Sequence, residues 1–308
     1  MDLRAHLLAL LAPHRVGDPL IPGVVIAGAS TELGLRLKFE VDGQPLWVDV
    51  DPLSRVERYA ARSERLAFGY RTEGERQSLD PQLGRRICEV TAALARANEG
   101  RVLAAVEEER VELPDRELRV RRVTTDALLE RTGVGGVDFY TLSPYVGCLI
   151  GCRFCYAQSR LDPMRGVIRL PQVPWGSYVD VRVNAPEVLA AELRARARLP
   201  IKFCPIVSDP YQAIERRRGL TRRCLEVLAA VDDPPPVMVM TRSDLILRDL
   251  EVLRAIPQAW VGASIPTLDD EVRAHFEPRA ASIPARLAML RAFKAAGVRR
   301  GVVVQPML

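Results

Sequence analysis

Three of the six cysteines in this 308-residue sequence fall inside "SPYVGCLIGCRFCYA", at Cys148, Cys152 and Cys155. Their C-x3-C-x2-C spacing is also one face of a helix, where buried thiols pack as small apolar groups. Pro144, Gly147 and Gly151 oppose a helix through this stretch. A disulfide would leave one thiol over and is disfavoured in a reducing compartment. A structural zinc takes four protein ligands, and His6, His14 and His275, the only histidines, are distant in sequence. Three thiolates on a glycine-rich loop fit a 4Fe-4S cluster with one iron left open to a ligand from outside the chain.

The elements that must position this loop change character along the chain. Residues 1–115 read as a small α+β accessory domain. Leu3, Leu7, Leu10 and Leu11 recur at helical spacing, and "LGLRLKFEVDGQPLWVDV" alternates apolar and polar residues about Asp42-Gly43, the signature of a hairpin. A helix is predicted from Pro81 to about residue 98, ending at Gly100. Residues 116–136 are charged, finish in "GVGG" and read as a linker with a glycine hinge; the sharper reading of a phosphate loop lacks a strand-to-helix context. From Val137 the runs "VDFYTL", "IKFCPIV", "PVMVMT", "WVGASI" and "GVVVQP" alternate with helical stretches near 185–198, 211–231, 244–255 and 282–296. Continuous β-rich runs separated by helices predict an α/β fold built on a parallel sheet or barrel over 137–308. A further strand, "VDVRVN", precedes the first long helix. The runs end at Ser208-Asp209, Thr241-Arg242-Ser243, Ser264 and Gln305, and the carboxyl ends of parallel strands face one common site.

Composition sets the remaining bounds. No run reaches the roughly 18–20 apolar residues of a membrane helix, and "LLALLA" is too short for a secretory signal, so a cytoplasmic protein without membrane contact is expected. The net charge of +5 invites a nucleic-acid partner. Yet lysine stands only at Lys38, Lys202 and Lys294, and arginine supplies the rest. Arg216-Arg217-Arg218 with Arg222-Arg223 reads as a solvated helix face, with a phosphate groove as the alternative.

The loop, with Phe154 as the aromatic of C-x3-C-x-aromatic-C, resembles the radical S-adenosylmethionine (SAM) superfamily. "VRVNAPEVL", "SDPYQAIERRRGLTRRCLEVL", "MTRSDLILRDLEVL" and "ASIPTLDDEVRAHFEP" follow in the order and spacing of its spore photoproduct lyase-like branch, over about 137–308. That resemblance implies a partial parallel (β/α) barrel, and this sequence supplies five of the usual six strands. It implies a 4Fe-4S cluster on Cys148, Cys152 and Cys155 and SAM on its open iron. A one-electron donor of the flavodoxin or ferredoxin type would then release a 5′-deoxyadenosyl radical that abstracts hydrogen from substrate. Phe154 would pack on the adenine. Arg182, where the family usually has lysine, would pair with the SAM carboxylate; Ser208 and Asp209 would take the amino group and Ser264 the ribose.

The departures bear on substrate. Spore photoproduct lyase returns hydrogen from a cysteine that would fall within 156–203, where this chain has none. Of two relay tyrosines it keeps Tyr156 and replaces the other with Phe154. Cys204, in phase with Ser208, reads first as a packed core thiol, with a hydrogen donor facing the barrel interior as the alternative. The substrate stays open between peptide and nucleic acid. The competing class, a non-catalytic iron–sulfur electron carrier or scaffold, would have no use for a SAM pocket.

Overall fold

The computed structural model describes residues 2–31, 34–53, 60–72, 80–102, 108–134, 137–203 and 207–308. The chain divides into two compact units, the first formed by Met1–Glu108 with Gln158–Gln172 and the second by Glu109–Ala157 with Val173–Leu308.

In the first unit, helix α1 (Leu3–Ala9) is capped by Asp2, whose carboxylate accepts the Ala5 N–H at 2.9 Å. Strands β1 (Pro19–Ile21), β2 (Val24–Ser30), β3 (Arg36–Val41), β4 (Gln44–Pro52), β5 (Ala61–Arg62) and β6 (Leu66–Thr72) form an antiparallel sheet in the order β1-β2-β3-β4-β6-β5. The Asp42-Gly43 turn sets Val41 opposite Gln44, and both turn residues have positive φ, 50° and 72°, as a tight hairpin requires. Strand alternation then buries Leu37, Phe39, Leu46, Val48 and Val50. Helix α2 (Pro81–Val102) buries Ile87, Cys88, Ala92 and Ala95 and runs past Gly100, where the sequence predicts its end. Helix α3 (Ala157–Val167) leaves the cysteine loop and from residue 158 belongs to this unit. Its Arg165 donates two hydrogen bonds to Glu108, at 2.7 and 2.9 Å, in a buried pair.

The second unit opens with β7 (Glu109–Glu112), β8 (Glu117–Val123), β9 (Leu129–Val134) and β10 (Val137–Leu142), followed by β11 (Tyr145–Val146), β12 (Tyr178–Arg182), α4 (Ala185–Ala195) and β13 (Ile201–Phe203). It continues through α5 (Glu215–Arg218), α6 (Leu220–Ala229), β14 (Val237–Thr241), a 3-10 turn (Asp244–Asp249) leading into α7 (Leu250–Arg254), and β15 (Ala259–Ser264). Helices α8 (Asp270–Phe276) and α9 (Ile283–Ala295) and strand β16 (Arg299–Val303) complete it. Strands β10, β13, β14, β15 and β16 run parallel in that spatial order, which makes the fold mixed α/β with a partial barrel. One sheet face packs Ile201, Phe203, Val237, Val239, Val261 and Ala263 against Leu189, Leu225, Leu228, Leu253, Met289 and Phe293 of the helices. Ser208, Asp209 and Arg242, just past the carboxyl ends of β13 and β14, are left to the site.

Two expectations are corrected. The linker predicted over 116–136 holds two strands: β8 pairs with β12, and β9 pairs antiparallel with β10, setting Val134 opposite Val137. Charge disguised β8, because Arg121 is buried and ion-paired with Asp180, its register partner on β12. Gly135 and Gly136 of the expected hinge lie outside the described residues. The "VDVRVN" strand, β12, lies in the sheet β11-β12-β8-β7. The helix predicted over 211–231 divides into α5 and α6 at Gly219, whose φ is 61°.

Candidate active site

The cysteine loop begins where β10 and β11 end, and two glycines allow its path. Gly147 has φ 91° and lies so close to Tyr178 that a Cβ would come 2.6 Å from that residue's carbonyl oxygen. Gly151 has φ 66°, and a Cβ there would sit 2.9 Å from the Gly176 Cα. Long-range hydrogen bonds then pin the loop. Gln212 accepts the Leu149 N–H at 2.7 Å and donates to the Gly147 carbonyl at 3.0 Å and to Ser208 Oγ at 2.5 Å. Arg279 Nε donates to the Leu149 carbonyl at 2.7 Å, and the Gly147 N–H reaches the Val207 carbonyl at 3.0 Å.

These constraints place Cys148, Cys152 and Cys155 around a cavity of about 30 Å³, walled also by Ile150, Trp175, Val207, Ser208, Asp209 and Arg242. Cys148 and Cys152 are buried and Cys155 half-buried, in an apolar cluster with Ile150, Phe154 and Trp175. Burial pushes the Cys148 thiol up to about 12, with the charge of Asp209 adding to it. Burial raises Cys152 further, while the Arg242 cation opposes the rise. The site therefore favours the neutral thiols over bare thiolates. Among the described residues no three His, Cys, Asp or Glu side chains converge tightly enough for a single metal ion.

The strand ends complete the wall. Asp209 is buried and accepts hydrogen bonds from the Thr241 hydroxyl at 2.6 Å, the Arg242 N–H at 2.8 Å and the Tyr211 N–H at 2.9 Å. Desolvation raises its pKa, and these three donors work against the rise. Arg242 donates to Glu277 at 2.5 Å, and its guanidinium lies 5.6 Å from the centre of the Phe154 ring. Burial disfavours its charge, but Cys152 and Glu277 outweigh that and hold the guanidinium above its ordinary value. Fully buried Glu277 also accepts from Arg286, whose other Nη reaches the Ser264 carbonyl at 2.6 Å.

Of the residues expected from sequence, the three cysteines, Ser208 and Asp209 meet at the cavity, and Phe154 packs beside them against Phe276, ring centres 6.4 Å apart. Arg182 is buried, is not among the residues that wall the cavity, and donates to the Ser143 carbonyl at 2.8 Å. Ser264 is buried at the end of β15, and Tyr156 is 51% exposed. Cys204 lies outside the described residues. Of the arginine run, Arg222 and Arg223 pair with Asp249 and Glu187, while Arg216, Arg217 and Arg218 are exposed. Sequence reasoning missed Gln212 and Trp175 as site residues, and named Arg242 only as one of the strand ends. Gln212 and Arg242 sat inside blocks that carried the resemblance, whereas "PWG" around Trp175 gave only a turn signal.

Residues 142–308 match the model of the family described as the radical SAM superfamily. Similar curated proteins include uncharacterized protein MJ0683 of Methanocaldococcus jannaschii, 25% identical over 169 residues, 55% of this chain and 60% of that protein. Uncharacterized protein ORF301 of Acidianus two-tailed virus is 30% identical, over 58% of this chain and 60% of its own length. Uncharacterized protein Rv2578c of Mycobacterium tuberculosis is 31% identical, over 55% and 49%. The aligned region thus spans about half to three-fifths of these relatives. Among solved structures, spore photoproduct lyase complexed with dinucleoside spore photoproduct is 22% identical, covering 61% of this chain and 52% of that one, with a TM-score of 0.47.

Proposed function

This chain belongs to the radical SAM superfamily, a superfamily of enzymes, and from that premise we propose that it binds a 4Fe-4S cluster through Cys148, Cys152 and Cys155 and cleaves SAM reductively to attack an external substrate. One observation carries the reading: three thiols share a small, largely apolar cavity with the polar ends of successive parallel strands. The donor set suits iron, and Trp175, whose buried Nε1 has no hydrogen-bond partner among the described residues, lines the same space. When bound, cluster and SAM together supply one-electron cleavage to methionine and a 5′-deoxyadenosyl radical able to take hydrogen from unactivated carbon.

The chain's own residues bind, orient and exclude water. Arg242 offsets thiolate charge beside Cys152. Asp209 uses three acceptor positions internally, and a carboxylate has about four, so one remains for the SAM amino group beside Ser208. Arg182 supplies the cation for the SAM carboxylate, Phe154 the face for adenine, and Ser264 a partner for ribose. Ile150, Val207 and Trp175 keep water from the reacting centre. Exposed Tyr156 and, beyond the described residues, Cys204 are the candidates for passing hydrogen to or from substrate.

An external flavodoxin- or ferredoxin-type protein would deliver the electron. The substrate class is a peptide or a nucleic acid, with the first unit as its recognition module. Among the described residues no helix is long and apolar enough to cross a membrane. The test is anaerobic reconstitution with iron and sulfide, then dithionite and SAM, with 5′-deoxyadenosine and methionine as the expected products. A protein holding its full iron complement that leaves SAM intact under these conditions overturns the reading.

A further inference from the structure

Trp175 is fixed by its own turn. The Ser177 N–H donates to the Pro174 carbonyl at 3.0 Å, and Gly176 has φ 92°, so Pro174–Ser177 is a tight turn with the tryptophan at its second position. The turn is seated on the cysteine loop, because Gly176 and Gly151 meet back to back with no room for a side chain on either. Tyr178 braces the indole edge-on, ring centres 5.6 Å apart. The indole thus lines the cavity with all three loop cysteines. Its Nε1–H is shut away from solvent and, among the described residues, has no hydrogen-bond partner. A buried unpaired donor is costly, and native structures keep one where a bound group completes it.

We propose that Trp175 Nε1–H donates a hydrogen bond to the sulfur shell of the cluster and so sets its reduction potential; this rests on the cluster assignment made above. Sulfur becomes more anionic when the cluster takes an electron, so a donor aimed at it favours the reduced state and raises the potential. Apolar Ile150 and half-buried Phe154 strengthen the effect by keeping water from competing. Trp175 is accordingly a positioning and tuning residue, set apart from the thiolate ligands.

The experiment compares wild type with Trp175→Phe, which keeps an aromatic ring against Tyr178 and removes the donor, and with Trp260→Phe as a control on β15. Each reconstituted protein is titrated redox-potentiometrically without SAM. Trp175→Phe should shift the reduction equilibrium about tenfold toward the oxidised cluster, about 59 mV to more negative potential for one electron, and Trp260→Phe should match wild type. An independent measurement needs no change at the site. In a Trp47→Phe/Trp260→Phe protein, Trp175 is the only remaining tryptophan of three. Labelled with 15N-indole, its reduced cluster should show hyperfine coupling to that nitrogen. Equal potentials at equal iron content, or no coupling, overturn the proposal, as does a difference that appears only when SAM is added. A wild-type chain that takes up no iron–sulfur cluster refutes the cluster assignment instead.

Discussion

Replacing Gln212 should loosen the cysteine loop before any cofactor is involved. Its amide is 1% exposed and satisfies two backbone groups of the loop, the Leu149 N–H at 2.7 Å and the Gly147 carbonyl at 3.0 Å, besides Ser208 Oγ. Gln212→Leu fills similar volume but leaves both backbone groups buried without that partner, each at about 1–3 kcal/mol. The lower bound, about 2 kcal/mol, corresponds to roughly a 30-fold larger opening constant for the loop. Gln212→Glu keeps an acceptor for Leu149 but sets an oxygen against the Gly147 carbonyl, so it should also lose protection. Hydrogen exchange of metal-free protein, read on a peptide covering residues 147–152, measures this directly. The exchange should accelerate there by roughly 30-fold or more, and iron should leave the loaded variants faster. Exchange within twofold of wild type in both variants would refute the argument that Gln212 clamps the loop.

Cys152→Ala should abolish the chromophore of the reconstituted protein or leave a smaller cluster with no SAM cleavage, whereas Cys88→Ala on α2 and Cys224→Ala on α6 should retain both; iron analysis and absorbance decide. Arg182→Ala should weaken SAM binding by roughly 10- to 150-fold, the loss of a charge-assisted pair worth about 1.5–3 kcal/mol, and an unchanged dissociation constant with intact cluster would remove Arg182 from the site. Asp270 is held down to about 2 by the hydrogen-bonded Arg273 guanidinium and by the Ile283 N–H, against an ordinary 3.8. A lowered pKa contributes stability that is present above the unfolded value and lost as pH falls through the folded one. Asp270→Asn should therefore flatten the acid limb of the unfolding curve between about pH 4 and 2, and a limb as steep as wild type would show that the pair is idle.

The sequence by itself determined the local pieces. Strict alternation around Asp42-Gly43 specifies a hairpin because strand period and turn conformation are both properties of neighbouring residues. Apolar runs bounded by Gly and Pro likewise specify buried parallel strands. The cysteine spacing, with Gly147 and Gly151 in the same loop, marked out the three candidate ligands without any knowledge of the fold. Tertiary structure decided whatever depended on partners far along the chain. Strand β8 reads as a charged linker until register sets Arg121 against Asp180, 59 residues away, where the pair neutralises what would otherwise exclude an arginine from the interior. Gln212 becomes a loop clamp only because the fold brings it to backbone groups 63 and 65 residues distant. Trp175 acquires its place at the cavity through two glycines that let separate turns touch. Hydrophobic period and turn preference are encoded over a few residues, whereas the pairing of a buried charge or a buried amide is fixed only when distant segments exclude water together.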